Sequence, residues 1–213
     1  MKNIFTVLIL CLSFVSFSQN DAKAKSLLDE VSKKVKSYEN ITIDFKYALS
    51  NTAENINQET RGSVVMQGNK YKLEILGATR IYDGKMLYTI SPDDEEVTIS
   101  KEDGEGANSI TPNKMLSFYE DGYTYKMDIV QNIQGRKIQL IKLTPIDSKS
   151  EIKNIFLGID AQTKHIYNLT EMGKNGTKTT LTVNSFKTNQ PLSKTLFTFD
   201  ENKYKGYYIN RLD

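Results

Sequence analysis

The segment ITIDFKYALS, residues 41–50, has an apolar or aromatic side chain at every second position. In an extended chain these side chains all point to one face, while polar or small residues point to the other. The pattern therefore predicts a β-strand with one buried face. The apolar positions are Ile41, Ile43, Phe45, Tyr47 and Leu49.

Further segments rich in Val, Ile, Thr and aromatic residues follow, and short turns containing Gly, Asn, Asp or Pro separate them. Connections this short favour antiparallel neighbours. No linker or internal repeat divides the chain, so a single, mainly β domain of about eleven strands is expected. The segments are 61–67, 69–76, 79–91 (two strands around Asp83-Gly84), 95–100, 123–131, 136–145, 151–160, 164–172 and 178–186, with a bent tail at 191–200.

Two helices are expected beside the strands. Residues 21–38 repeat apolar side chains at helical spacing, and Asp21 can cap the first turn. Thr111-Pro112 predicts the start of a short helix that reaches residue 119, since Pro is favoured in a first turn. This second helix lies between two runs of strands and must cross one face or one end of the sheet.

The first 18 residues have the features of a secretory signal. Lys2 precedes an apolar run, and Ser16-Phe17-Ser18 provides small residues for cleavage before Gln19. The alternative is a membrane anchor, but the run is shorter than the ~20 residues of a spanning helix. The expected mature domain is residues 19–213, secreted across the inner membrane, and its signal would carry away the only cysteine, Cys11.

Composition and motifs do not favour catalysis or nucleic-acid binding. The net charge is +2 and no basic run is long enough to follow a phosphate backbone. His165 is the only histidine, so no second His or Cys is available for a typical metal site. No nucleophile motif is present. We therefore expect a protein that is not an enzyme and needs no cofactor or metal.

The predicted strands carry more apolar side chains than the predicted helices can cover. A twisted sheet of this size curls, and one long helix cannot fill its hollow side. Such a hollow either binds an apolar ligand or collapses around its own side chains, and the strand patterns alone leave both outcomes open. The residues expected to line it are Ile43, Phe45, Tyr47, Leu49, Val64, Met66, Tyr71, Leu73, Ile75, Tyr88, Ile90, Met115, Leu116 and Phe118.

The order of these segments resembles that of the outer-membrane lipoprotein carrier family, LolA. The helix AKSLLDEVSKKVKSY runs into IDFKYAL, and GSVVMQGNKYKLEI is similar to the Gly-led strand pair of the family. IYDGKMLYTISPDDEEVTI is similar to its hairpin and Pro turn, TPNKML to its mid-chain helix, and LFTFD to its closing segment. The resemblance covers nearly all of residues 21–205.

The resemblance implies an incomplete antiparallel β-barrel, a curved half-barrel with a helical lid over a hydrophobic cavity. It also implies a monomeric periplasmic carrier that holds the acyl chains of lipoproteins between the inner and outer membranes. Its partners would be an inner-membrane releasing transporter and an outer-membrane acceptor. One departure is Gln67-Gly68-Asn69, where the family typically has an Arg-Pro pair whose Arg holds the lid.

Two other functions remain open for the same fold. One is an envelope sensor or interaction module that recognises a protein segment. The other is a carrier of a different amphiphile, such as a glycolipid or a pigment precursor.

Overall fold

A computed structural model of the chain describes residues 21–101, 112 and 117–212. The predicted signal peptide, residues 1–18, lies outside this part, so its removal stays a prediction.

The described chain contains one α-helix, twelve β-strands and three short 3-10 helices. The α-helix, α1, spans Ala22–Lys36, and the 3-10 helices span Pro92–Asp94, Phe118–Glu120 and Glu201–Tyr204. The strands are β1 (Ile41–Asn51), β2 (Ile56–Gln67), β3 (Lys70–Ile75), β4 (Ala78–Tyr82), β5 (Leu87–Ser91), β6 (Glu96–Ser100), β7 (Tyr123–Ile133), β8 (Arg136–Pro145), β9 (Ile152–Asp160), β10 (Ile166–Gly173), β11 (Lys178–Thr188) and β12 (Tyr208–Arg211).

All twelve strands form one open sheet with the order β12-β6-β5-β4-β3-β2-β1-β11-β10-β9-β8-β7. The sheet consists of two antiparallel meanders, β2 to β6 and β7 to β11, which β1 joins by pairing with β2 on one side and β11 on the other. Among the described strands, only β12 pairs in parallel, with β6. The prediction of a mainly β, unclosed half-barrel with a helix is confirmed, although the tail at 191–200 is irregular and the last strand lies beyond it.

Helix α1 is fixed to the sheet at its first turn. One carboxylate oxygen of Asp21 accepts hydrogen bonds from the N–H groups of Lys23 at 2.9 Å and Ala24 at 3.4 Å. The other oxygen accepts from the N–H of Met127 on β7 at 3.2 Å. Asp21 therefore caps the helix and also sets its position over the sheet.

Three apolar clusters follow from the alternation of side chains along the strands. The helix-side core lies between α1 and strands β7 to β10, and it contains Ala24, Leu28, Val31, Tyr119, Ile141, Leu143, Ile155, Leu157, Ile159, Ile166 and Leu169. The central core continues from it across β1 to β5, with Ile41, Ile43, Phe45, Val64, Met66, Tyr71 and Leu87 buried. The C-terminal cluster has Ile81, Ile90, Val97 and Ile99 buried against Phe199, Tyr204, Tyr207 and Ile209.

The C-terminal cluster lies on the face of the sheet opposite to the central core. Leu87 belongs to the central core, whereas Tyr88 and Ile90 belong to the C-terminal cluster. Successive strand residues point to opposite faces, so this part of the sheet is apolar on both sides. The chain after residue 196 covers the second side, where the rings of Phe199 and Tyr88 stack with 4.7 Å between centroids.

Candidate apolar binding cavity

An apolar cavity of about 270 Å³ lies over the middle of the sheet. It is near the lower end of the range of about 300–1,000 Å³ that is usual for ligand pockets. Its wall combines both meanders, because it takes residues from β1, β2 and β3 and from β10 and β11. The lining residues are Ile43, Phe45, Tyr47, Val64, Met66, Leu73, Ile75, Pro112, Ile166, Leu169, Glu171, Thr179, Leu181, Val183 and Phe186.

Strand β1 runs along the middle of this wall. Its residue Ile43 lies between Val64 of β2 and Phe186 of β11 in the two ladders. The β1–β11 ladder shifts register between Asp44 and Phe45. A bulge of this kind bends the strand and locally increases the twist of the sheet, and here it lies in the cavity wall itself.

The ring of Phe45 occupies its place because the residue beside it is Gly62. A Cβ at Gly62 would lie 2.6 Å from Cζ of Phe45 and 2.7 Å from the carbonyl oxygen of Glu74. Real side chains do not approach so closely, so any larger residue would displace the ring or the strand. Gly62 thus allows a large aromatic side chain to lie flat against β2, where it is 4% exposed.

Half of the predicted lining residues meet at this cavity. They come from the three strands whose two-residue period is clearest in the sequence. They are Ile43, Phe45, Tyr47, Val64, Met66, Leu73 and Ile75. Their ability to bind a ligand stays a prediction.

The prediction was wrong for two lining residues, which lie on the face of the sheet opposite to the cavity. Tyr88 and Ile90 point into the C-terminal cluster, because Leu87 takes the inward position on β5. The two-residue period was right, but its phase was wrong, since apolar residues occur on both faces of this strand. The C-terminal segment covers this second face, and nothing in the sequence of β5 indicates that it does so.

The other predicted residues contribute less directly or lie outside the described chain. Tyr71 is 2% exposed and packs against Tyr82 with ring centroids 5.6 Å apart, so it belongs to the core beside the cavity. Leu49 is partly exposed and does not line the cavity. Met115 and Leu116 lie outside the described residues, as does the side chain of Phe118.

Strands β10 and β11 provide the second half of the wall, and none of their residues is among the predicted lining residues. Leu181 and Val183 show the same two-residue period as β1, so the local signal was present. Leu181 faces Tyr47 of β1 and Leu169 of β10. The pattern could not predict that β11 pairs with β1, because these strands are far apart in the sequence.

His165 has a structural role at the edge of this wall. Its Nε2 is 2.8 Å from the hydroxyl oxygen of Tyr38, which follows α1. Its ring stacks on Phe186 with 4.1 Å between centroids. Burial, with a smaller effect of Lys34, lowers the pKa of His165, so the ring is neutral near pH 7. The histidine connects the end of α1 to a residue of the cavity lining.

Glu171 is the only ionisable carboxyl group in the described lining of the cavity. It lies on β10 opposite Thr179 and Ile155. Burial raises the pKa of its carboxyl group. Burial also raises the pKa of Tyr123, and the charge of Glu171 adds to that effect.

No helix in residues 21–101, 112 and 117–212 is long and apolar enough to cross a membrane. The same residues contain no group of three or more His, Cys, Asp or Glu side chains placed to hold a metal ion.

Comparisons with known proteins agree with this architecture. A sequence model of the family "Outer membrane lipoprotein carrier protein LolA" matches residues 33–200. No curated protein sequence matches the chain significantly. Among solved structures, an uncharacterized conserved protein from Thermus thermophilus is similar, with a TM-score of 0.57 and 12% identity over 89% of this chain and 99% of that chain.

Two further structures give lower TM-scores. The Mycobacterium tuberculosis lipoprotein LppX gives a TM-score of 0.48 and 15% identity over 79% of this chain and 98% of that chain. A LolA superfamily protein from Nitrosomonas europaea gives a TM-score of 0.43 and 13% identity over 83% of this chain and 97% of that chain.

Proposed function

The chain belongs to the outer membrane lipoprotein carrier family, and from this membership we propose that it is a periplasmic carrier of lipoproteins. In this proposal the cavity holds acyl chains while the protein moves between the inner and outer membranes. Members of the family are carrier or binding proteins of the cell envelope and not enzymes.

The observation that supports the proposal is the cavity at the junction of the two meanders. Its described lining is apolar except for Glu171, Thr179 and the hydroxyl group of Tyr47. An apolar cavity of about 150 Å³ is enough to accept benzene. A cavity of about 270 Å³ therefore offers room for a larger apolar group, such as part of an alkyl chain.

The energetics of lipid transfer require a site of this kind. Each CH₂ group moved from water to an apolar site contributes about 0.8 kcal/mol. A chain of about 16 carbons would thus cost about 12 kcal/mol to expose on the same principle. A carrier must cover much of this surface and still release it, which needs no catalytic group. The energy for loading would come from a releasing transporter in the inner membrane.

The cavity is smaller than a complete set of lipoprotein acyl chains, so the proposal requires the wall to widen. Its wall contains the β1–β11 ladder, which already has a register shift at Asp44 and Phe45. It also includes Met66, whose unbranched side chain adapts to different shapes. These features are suited to a site that repacks around its ligand.

Native mass spectrometry of the mature protein purified from its own envelope tests the proposal directly. We expect mass adducts of acylated polypeptides or acyl lipids that disappear after extraction with organic solvent. Transfer of a lipoprotein from inner-membrane vesicles to the soluble fraction is the second measurement. A protein without such adducts, which binds an unacylated protein segment stably, would instead support a sensor or interaction module.

The chemical identity of the adducts also decides between carriers. Acylated polypeptides support lipoprotein traffic, and a glycolipid or pigment precursor in their place would contradict it.

A further inference from the structure

Glu171 has an unusual position in the cavity wall. It follows the lining residue Leu169 by two positions on β10, so both side chains point to the same face. Its cross-strand neighbours on that face are Ile155 and Thr179. Glu171 and Thr179 therefore place a carboxyl and a hydroxyl group side by side in a wall that is otherwise almost entirely apolar.

The carboxyl group of Glu171 forms no hydrogen bond and no ion pair within residues 21–101, 112 and 117–212. The buried carboxylate of Asp160, by contrast, accepts a 2.7 Å hydrogen bond from Nε of Arg136. Glu171 is partly exposed in the empty protein, but a bound alkyl chain would cover its carboxyl group. A covered polar group without a partner costs about 1–3 kcal/mol, and a head group that supplied a hydrogen-bond donor would avoid this cost.

From this geometry we infer that Glu171 is a specificity-determining residue, which selects amphiphiles with an uncharged or cationic, hydrogen-bond-donating head group, and a primary amine best of all. The inference rests on the proposed function and extends it from the apolar tail to the polar end of the cargo. The tail lies along β1 and β11, and the head group meets Glu171 and Thr179.

The chemistry of a carboxylate sets the order of preference. An ionised carboxylate only accepts hydrogen bonds, so an ammonium group gives both a donor and an opposite charge. A hydroxyl group gives a donor alone. A carboxylate or phosphate head group is repelled, and no lysine or arginine lines the described cavity wall to offset the repulsion.

Three ligands with the same 12-carbon tail test this order at pH 7.5: dodecylamine, dodecanol and dodecanoate, each measured by displacement of a neutral fluorescent lipid probe. We expect the amine to bind about tenfold more tightly than the alcohol, as for a hydrogen bond between charged groups. Dodecanoate should bind most weakly. In Glu171→Gln the amine should lose its advantage, and dodecanoate should gain affinity.

Two controls separate specificity from folding. Glu54→Gln removes the same charge from an exposed turn and should keep the wild-type order. Glu171→Leu, with its thermal unfolding midpoint measured alongside, should bind the alcohol at least as tightly as the wild type and show no amine preference. An unchanged order of the three ligands in both Glu171 variants would overturn the inference.

Matched natural head groups identify the source of the amine. One pair is a diacylated lipopeptide with a free or an acetylated α-amino group, and the other is a phospholipid with an ethanolamine or a glycerol head. Discrimination within either pair that depends on Glu171 supports the inference and names the cargo class. Equal binding of all three 12-carbon ligands would refute the role of Glu171 but leave the carrier function intact, whereas no binding of any ligand would refute both.

Discussion

Leu181→Glu should make ligand binding strongly dependent on pH. Leu181 lines the cavity from β11, between Tyr47 and Leu169, and it is only partly buried. In the empty protein a carboxylate at this position would still contact water. An alkyl chain in the cavity would cover it, and the least costly response is protonation of the new glutamate.

The expected loss of affinity follows from the cost of that protonation. A glutamate of ordinary pKa, about 4.3, must be neutralised at a cost of about 1.36 kcal/mol for each pH unit above that value. At pH 7.4 this amounts to about 4 kcal/mol, or about a thousandfold in affinity. At pH 5.0 the cost falls to about 1 kcal/mol, or about fivefold.

A neutral ligand such as dodecanol keeps its own charge constant between the two pH values, so displacement of a fluorescent lipid probe can measure the effect. Leu181→Gln is the matched control, since it adds a polar group without a charge and should show a smaller loss that does not vary with pH. Ile129→Glu places the same carboxylate on a residue that is 60% exposed and should leave affinity unchanged. Equal losses at both pH values, or equal losses in the Glu and Gln variants, would contradict the placement of Leu181 in the binding cavity.

Three further substitutions test other parts of the structure. Gly62→Ala should lower the free energy of unfolding by about 1–3 kcal/mol and alter ligand affinity, because the new methyl group meets the ring of Phe45; denaturant unfolding that matches the wild type would contradict this. Burial disfavours the ionised form of Asp160, but two loop N–H groups and Arg136 outweigh it and hold its pKa at about 2. Because this pKa lies below the unfolded value, ionised Asp160 stabilises the fold above about pH 4 and loses this effect as the pH falls to about 2; Asp160→Asn should thus cost about 2 kcal/mol at pH 7, and its deficit relative to the wild type should shrink in acid. Ile90→Val should cost about 0.5–1.5 kcal/mol in unfolding experiments yet leave ligand affinity within about twofold, since Ile90 lies on the opposite face of the sheet.

The sequence predicted where the strands lie better than it predicted which segments pack on each face of them. The period of two in β1 and β3 identifies lining residues such as Phe45 and Leu73, because only one face of each strand is apolar. In β5 both faces are apolar, so the period alone could not decide whether Leu87 or Tyr88 points inward. That choice depends on the C-terminal segment, which packs on β4 to β6 from the far end of the chain.

Glu171 shows a second limit of sequence reasoning. Several predicted strands contain an acidic residue, and the residues next to Glu171 do not indicate that its side chain lines a cavity instead of facing solvent. Its importance arises from the tertiary structure, since β10 reaches the cavity only through the pairing of β11 with β1.

The ladder between β1 and β11 also affects how the protein folds. Each meander can form from neighbouring hairpins, but this ladder joins residues that are about 130 positions or more apart in sequence, and such distant pairings form slowly. Until it forms, Ile43 and Phe45 have only one of their two neighbouring strands, β2. A folding chain therefore keeps an apolar strand edge available for aggregation until residues 178–188 have paired with β1, and protection by a chaperone would matter most during that interval.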